Sequence, residues 1–165
     1  MFKMPTEQPY LVTFADLLKQ IARYGDRPAL TDASDGATLS FSQLHSLVLD
    51  LFGKLPTDIP VGSRVLLYGL NPLDWVALFF ASALRGWIVV PLDTRVSTDF
   101  IRSVEELTTP ALIITGDDST LASNYMMLKI SAIKNASHSH SKQLAVSDPD
   151  APSSILRALF PVACS

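Results

Sequence analysis

Three continuous apolar runs, separated by segments with helical spacing, constrain the fold of this chain more than any other feature. The runs cover residues 65–68, 87–92 and 111–115, and none of them alternates between apolar and polar positions. A strand that is apolar on both faces has to be covered on both faces, which is typical of a parallel sheet. The order strand, helix, strand, helix, strand therefore predicts an α/β fold with a mostly parallel sheet and flanking helices.

Capping residues predict where the helices begin. The expected starts are Thr13, Ser42, Asn71-Pro72 and Ser97. Two short runs, 29–31 and 38–41, flank the turn Ser34-Asp35-Gly36 and predict a hairpin. Residues 125–133 are expected to form one more strand, and 135–147 an exposed polar loop.

Charge and hydropathy exclude several classes of protein. A net charge of -3 gives no basic patch for nucleic acid. The most apolar stretch, 75–92, contains Arg85 and Gly86, so we interpret it as a helix and a strand rather than a membrane span. Residues 1–10 lack the apolar core of a secretory signal, and the single Cys164 cannot form an internal disulfide. These features favour a cytoplasmic location.

Six segments, in this order, resemble the adenylate-forming superfamily of acyl-CoA synthetases, luciferases and peptide-synthetase adenylation domains. Residues 71–76 (NPLDWV) resemble the family pattern N-x-x-E-W/F-V. Residues 61–65 (VGSRV) resemble G-D-R-V, with Ser63 where the family usually has an acid. The complete set is 13–18 with 26–30, 39–44, 61–65, 71–76, 81–86 with 89–93, and 148–156.

This resemblance implies an incomplete N-terminal domain of the adenylate-forming fold. Residues 1–118 would be its first part, 119–147 an irregular segment with a possible strand and a polar loop, and 148–165 a truncated lead-in to a phosphate loop. The intact family uses ATP, magnesium and coenzyme A to join a carboxylic acid to a thiol. Within the family, residues 90–95 resemble fatty acyl-CoA or acyl-carrier-protein synthetases.

The phosphate loop that the resemblance implies is missing from this sequence. A Thr/Ser/Gly-rich loop is expected directly after Leu156, where its backbone would wrap the ATP phosphates. Residues 157–165 instead read RALFPVACS, and no glycine follows Gly116. We therefore expect a chain altered by a frameshift or premature stop, unable to form an acyl-adenylate alone, in which no residue is assigned a catalytic, cofactor-binding or metal-binding role.

Two alternatives stay open. The chain could be a non-catalytic binding module that pairs with a second half or with a full-length homologue. It could also be an unrelated flavodoxin-like protein, although such a protein should carry a phosphate loop after its first strand. The helix and strand around Trp75, Phe79, Phe80 and Trp87 are core candidates, and loss of their partner surface predicts an exposed apolar patch and self-association.

Several polar residues are candidate sites, and we prefer a structural interpretation for each. Gly116-Asp117-Asp118 follows a strand, where parallel sheets place ligands, but a solvated turn is the simpler interpretation. Asp93 is interpreted as structural at a strand end, and the hydroxyl-rich start 97–99 as a cap rather than an anion site. The remaining polar candidates are expected at helix ends or on the protein surface: Asp16, Asp26, Asp74, Asp99, Arg95, Arg102 and His45.

Two candidates lie near the end of the chain. His138 and His140 lack the further clustered ligands that a metal site needs, so we expect a solvated loop. Cys164 has no His or Asn partner at a recognisable motif spacing and is not expected to be a nucleophile.

Overall fold

A computed structural model of the chain describes residues 13–136. The elements in chain order are α1 (Phe14–Ala22), β1 (Pro28–Thr31), β2 (Thr38–Ser40), α2 (Phe41–Lys54), β3 (Arg64–Tyr68), α3 (Pro72–Leu84), β4 (Ile88–Leu92), α4 (Thr98–Thr108), β5 (Leu112–Thr115), β6 (Met127–Lys129) and α5 (Ile130–Asn135). The candidates His138, His140 and Cys164, and the segment 148–165, lie outside the described residues.

Within the described residues, the main sheet has four strands in the order β4-β3-β5-β6, and all neighbouring strands are parallel. In the centre, Leu66 pairs with Val90 on one side and with Ile113 on the other. The strands β1 and β2 form a separate antiparallel hairpin. This topology confirms the predicted α/β fold with a mostly parallel sheet, and the predicted hairpin.

One face of the sheet is covered by four helices. The side chains of Val65, Leu67, Leu112 and Ile114 point to this face and join one buried cluster with residues of α1, α2, α3 and α5. Because the side chains of a strand alternate between faces, Leu66 and Ile113 point to the opposite face, where they are also fully buried. Because crossovers between parallel strands are right-handed, the return from β4 across the sheet to β5 places α4, whose Ile101 is buried, on that second face.

Arg85 fastens the end of α3 to the end of α2. Its guanidinium donates hydrogen bonds to the carbonyls of Phe52 at 2.6 Å and Leu55 at 3.1 Å, and it stacks over the Phe52 ring at 4.4 Å. A cation at a helix C-terminus satisfies carbonyls that lack a partner within the helix. The burial that this contact requires lowers the pKa of Arg85 below its usual value.

The structure corrects three expectations. The cap of α2 is Ser40, not Ser42, because Gln43 lies three residues after Ser40 and the two close a capping box. Residues 125–133 are not one strand, since β6 ends at Lys129 and a helix follows, with Ile130 and Ile133 three residues apart in the core.

The third correction concerns β4. The run 87–92 was expected to be buried. Of its residues only Trp87, which precedes the strand, is buried, and the Ile88 side chain is 52% exposed. The strand lies at the edge of the sheet, where no described strand covers its outer side. Among residues 13–136 no helix is both long and apolar enough to cross a membrane.

Candidate functional site

The carboxyl ends of the strands meet at one edge of the sheet and form an open cleft there. Ligands of parallel sheets usually bind at this edge, near the point where the chain changes direction across the sheet. The cleft has a volume of about 460 Å³. It is lined by the loop after β3, the loop after β4 and the first turns of α3: Gly69, Leu70, Trp75, Pro91, Leu92, Asp93 and Thr94.

Two glycines bring the loops together. From β3 the chain passes to β4 and then back across the sheet to β5, so a crevice is expected between the ends of β3 and β5. That crevice is closed, because the backbone of Gly116 lies against the carbonyl of Gly69 and leaves no space for a Cβ atom. Gly69 adopts a φ of +67° and lies near Thr94 and Ser119. The closure leaves the cleft between the loops after β3 and β4.

The charged group in this cleft, Asp93, is already paired. Its carboxylate accepts hydrogen bonds from the Arg95 side chain, the shortest at 2.6 Å, and from the Arg95 backbone N–H at 2.8 Å. The side-chain hydrogen bond is the main reason that the pKa of Asp93 falls to about 2. The same contact raises the pKa of Arg95. Arg95 therefore forms a local ion pair, consistent with the structural interpretation of Asp93.

The turn 116–118 has a structural use. The carboxylate of Asp117 accepts a hydrogen bond from the backbone N–H of Ser131 in the first turn of α5, and Lys129 donates to the Asp117 carbonyl. The helix α5 has no side-chain cap of its own, so Asp117 takes that role from a distant loop. Hydrogen bonding to Ser131 lowers the pKa of Asp117.

The hydroxyl-rich start of α4 is a cap, as expected. The Ser97 side chain accepts a hydrogen bond from the Phe100 N–H at 3.2 Å. On the same helix, the exposed side chains of Arg102 and Asp99 form an ion pair, with 3.9 Å between Nη1 and Oδ1.

The other carboxylates lie at separate helix ends, as the sequence indicated. Asp16 accepts a hydrogen bond from the Thr13 hydroxyl in the first turn of α1, and Asp26 accepts one from Ser42. Asp74 is buried at the start of α3, where Asn71 and Lys134 each donate to it at 2.7 Å. The Lys134 contact fastens α5 to α3.

His45 lies half-buried on α2, and burial lowers its pKa. No group of three or more His, Cys, Asp or Glu side chains close enough to hold a metal ion occurs among residues 13–136.

The aromatic residues that were expected in the core form a cluster at its margin instead. Trp75 stacks on Phe79 with ring centroids 5.6 Å apart, and Phe79 makes an edge contact with Phe80 at 5.8 Å. Phe14 packs edge-on against both phenylalanines of this pair. These rings are half-buried or exposed, so of the four residues expected in the core only Trp87 is fully buried.

The described residues of the cleft do not form a cradle for a triphosphate. Its lining includes no Lys or Arg, its one ionisable group is negatively charged, and no glycine-rich loop wraps it. Polyanions need backbone N–H groups, cations or both.

Comparison with known proteins gives the family. Residues 17–159 match the family described as AMP-binding enzyme, which is most of the chain. The chain belongs to the AMP-binding enzyme family. The match extends past Leu156, the last residue of the resemblance drawn from the sequence.

A curated relative supports the same family. A CoA ligase of Rhodococcus jostii, named for a methyl-dioxo-octahydro-indenyl propanoyl group, is 32% identical over 115 residues. The aligned region covers 68% of this chain and 22% of that ligase. The chain therefore spans about a fifth of the length of this relative.

Solved structures share the fold. The chain is similar to Klebsiella oxytoca NpsA in complex with 3-hydroxyanthranilyl-AMSN, with a TM-score of 0.68, 20% identity, and coverage of 84% of this chain and 29% of NpsA. It is also similar to the N-terminal subdomain of NpsA in complex with 3-hydroxybenzoyl-AMSN, with a TM-score of 0.65, 20% identity, and coverage of 76% and 32%. These likenesses show that the described residues share the fold of part of the N-terminal subdomain of NpsA.

Sequence reasoning named Trp75, Asp93 and Gly116 but did not predict that they border one cleft, and it missed Gly69, Leu70 and Thr94. Gly69 was not singled out, although a glycine directly after a buried strand is a signal for close backbone approach. Thr94 and Leu70 carry no comparable signal, because only the strand order brings them to the same edge.

Proposed function

We propose that this chain supplies the first part of an adenylate-forming, acyl-CoA ligase-like fold and that these 165 residues do not form an acyl-adenylate by themselves. The observation behind the proposal is that the chain aligns with only 22% of its CoA ligase relative. Its sequence also contains no glycine after Gly116 from which a phosphate loop could be built.

In this proposal the chemistry belongs to residues outside this sequence. ATP and magnesium would activate a carboxylic acid, and coenzyme A would accept the acyl group, as the family resemblance implies. The part played by the described residues is to present a packed parallel sheet with closed loops at its carboxyl edge. The residues of the cleft beside Trp75 and Asp93 would line part of the binding site but would not take part in the reaction. We further propose a cytoplasmic setting and a role in fatty acid metabolism.

The alternative is a non-catalytic binding module that pairs with a second half or with a full-length homologue. It is supported by the exposed apolar side chains of the described fold, among them Phe14, Ile88, Phe100 and Leu107. Such side chains are commonly covered by a partner in larger assemblies. Self-association of the chain is the competing explanation for the same surface.

Carboxylate-dependent exchange of pyrophosphate into ATP tests the proposal. The purified 165-residue chain is assayed with magnesium, ATP and a panel of aliphatic and aromatic acids, beside the intact Rhodococcus jostii ligase with its own acid. We expect exchange with the ligase and none above a mock purification with the chain. Exchange that depends on an added acid, and that co-purifies with the chain through two columns, would overturn the proposal.

A further inference from the structure

Helix α1 begins with an aromatic side chain that is only partly covered. Phe14 is the first residue of the helix, and its side chain is 43% exposed. Its ring makes edge contacts with Phe79 at 5.9 Å and with Phe80 at 6.3 Å, and the other face of the group is Trp75, which stacks on Phe79. We call these four rings the aromatic cluster. A contiguous group of partly exposed rings is a more specific signal for a contact than scattered apolar side chains are.

The chain enters the described fold directly beside this cluster. Thr13 precedes Phe14 and caps α1, since its hydroxyl oxygen accepts a hydrogen bond from the Asp16 N–H at 3.2 Å. The same hydroxyl donates to the Asp16 carboxylate at 2.7 Å. The backbone of Thr13 is extended, with φ of -139° and ψ of 161°. The residues that precede this cap therefore start one residue away from the exposed ring.

The sequence before the cap suits an apolar surface. Tyr10, Leu11 and Val12 are three consecutive apolar residues that end at the cap, and Pro5 and Pro9 oppose a helix in this part of the chain. An extended run of three residues covers about 10 Å, which is enough to cross two neighbouring rings of the aromatic cluster. Side chains of an extended run alternate in direction, so Tyr10 and Val12 share one side and Leu11 takes the other.

A known helix-start motif selects the side that faces the fold. The residue before a helix cap commonly packs on the fourth residue of the helix, and in α1 these two residues are Val12 and Leu17. Leu17 packs against the core and follows Phe14 by three residues, so the two share one face of α1. A contact between Val12 and Leu17 thus turns Tyr10 toward the aromatic cluster. Tyrosine suits the margin of a core, because its ring packs on other rings while its hydroxyl stays in water.

The outer edge of β4, a second exposed apolar site, is less suited to a contact. The Ile88 N–H donates inward to Ser63, so alternation directs the positions of Val89 and Pro91 outward. Proline has no N–H, so an added strand would find one donor missing. No apolar run adjoins that edge in the way that residues 10–12 adjoin the aromatic cluster.

We propose that residues 10–12 form an arm that lies on the aromatic cluster, with Val12 against Leu17 and the ring of Tyr10 against the rings of the cluster. The arm belongs to the same chain, so the occupant of this surface is neither a second copy nor another protein. The inference goes beyond the proposed function and does not depend on it. It also implies that self-association, if it occurs, uses a different surface.

A double-mutant cycle on the full 165-residue chain tests the contact. Urea unfolding is measured for Tyr10→Ala, Phe14→Ala and the double variant. Once Tyr10 is gone, loss of the Phe14 ring no longer breaks their contact. We therefore expect the unfolding equilibrium constant of the double variant to be about threefold or more below the value that independent effects would give.

Matched variants show whether the assigned side of the arm is correct. Leu11→Ala points away from the cluster in our assignment, so its combination with Phe14→Ala should agree within about twofold with independent effects. Tyr10→Phe should behave like the unaltered chain, because the ring makes the contact and the hydroxyl lies in water. Coupling of Phe14 to Leu11 in place of Tyr10 would overturn the assignment.

Nuclear Overhauser effects give a direct observation on the unaltered chain. We expect cross-peaks between the ring protons of Tyr10 and those of Phe80, which is distant in sequence, in a sample that analytical ultracentrifugation shows to be monomeric. Absence of these cross-peaks, or absence of the coupling, would overturn the inference. A dimer that Phe14→Ala dissociates would assign the cluster to a second copy and also overturn it. The pyrophosphate exchange assay tests the proposed function separately from all of these outcomes.

Discussion

At the scale of single residues, the contact between Gly69 and Gly116 decides the shape of the cleft. Both glycines follow central strands, and their backbones meet where a doubly wound sheet usually leaves a crevice. The Gly116 N–H also donates to the Tyr68 carbonyl at 3.1 Å, so the two loops are joined by a hydrogen bond as well as by packing. Glycine is required at position 116 for its lack of a side chain.

Gly116→Ala should destabilise the fold by more than about 2 kcal/mol, because the added methyl group meets backbone that cannot move aside. Gly36→Ala is the matched control. Gly36 has a φ of +76° but open space around it, so that change should cost only about 1 kcal/mol of conformational strain. Urea unfolding followed by circular dichroism measures both. A Gly116→Ala variant as stable as Gly36→Ala would contradict the close contact.

At the scale of elements, the start of α2 shows how a local signal fixes a boundary. The Ser40 hydroxyl accepts from the Gln43 N–H, and the Gln43 side chain accepts from the Ser40 N–H. Ser42 lies two residues after Ser40, within the first turn of the helix, so it cannot take part in this exchange. Its hydroxyl donates to Asp26 instead. The signature of serine followed three residues later by glutamine is visible in the sequence, but a second serine nearby obscured it.

Ser40→Ala should therefore cost about 1 kcal/mol of stability, the usual value for a lost helix cap. Ser42→Ala removes the hydrogen bonds of its hydroxyl with Asp26 and with the Ser40 hydroxyl but leaves the capping box in place, so it should cost less stability than Ser40→Ala. Denaturant midpoints of the two variants, measured side by side, give the comparison. If Ser42→Ala proved the more damaging change, the assigned cap would be wrong.

The elements also show how far sequence reasoning reaches in this fold. The buried strands β3 and β5 were predictable because every residue of Val65–Tyr68 and Leu112–Thr115 is apolar or small enough to be covered. The run 87–92 looks the same in sequence, yet β4 lies at the edge of the sheet that residues 13–136 form, since strand order depends on how the crossovers pack. The short helix α5 was missed because its cap, Asp117, is supplied from another loop.

At the scale of the whole molecule, protonation should oppose folding across the acidic range. Burial lowers the pKa of His45 below its usual value of 6.5. Hydrogen bonds lower the pKa values of Asp32, Asp93 and Asp117 below their usual 3.8. In each case the unfolded chain binds protons more readily than the folded chain, so stability rises with pH through these ranges.

We expect the free energy of unfolding to fall in two steps as the solution is acidified. The first step lies just below pH 6.5 and comes from His45, and the second lies below about pH 4 and comes from the carboxylates. His45→Gln should remove the first step and keep the second. Urea unfolding at a series of pH values from neutral to acidic measures both curves. A first step that persists unchanged in His45→Gln would assign it to other groups.

Pro91 in β4 also has a consequence during synthesis of the chain on the ribosome. A parallel sheet cannot be finished until distant segments have left the ribosome, and an open strand is meanwhile a template for neighbouring nascent chains. Pro91 deletes an outward donor near the end of that strand. A strand from a second chain could then pair with only a few residues of β4 before the ladder of hydrogen bonds was interrupted. This edge should therefore resist strand addition by other chains until the sheet is complete.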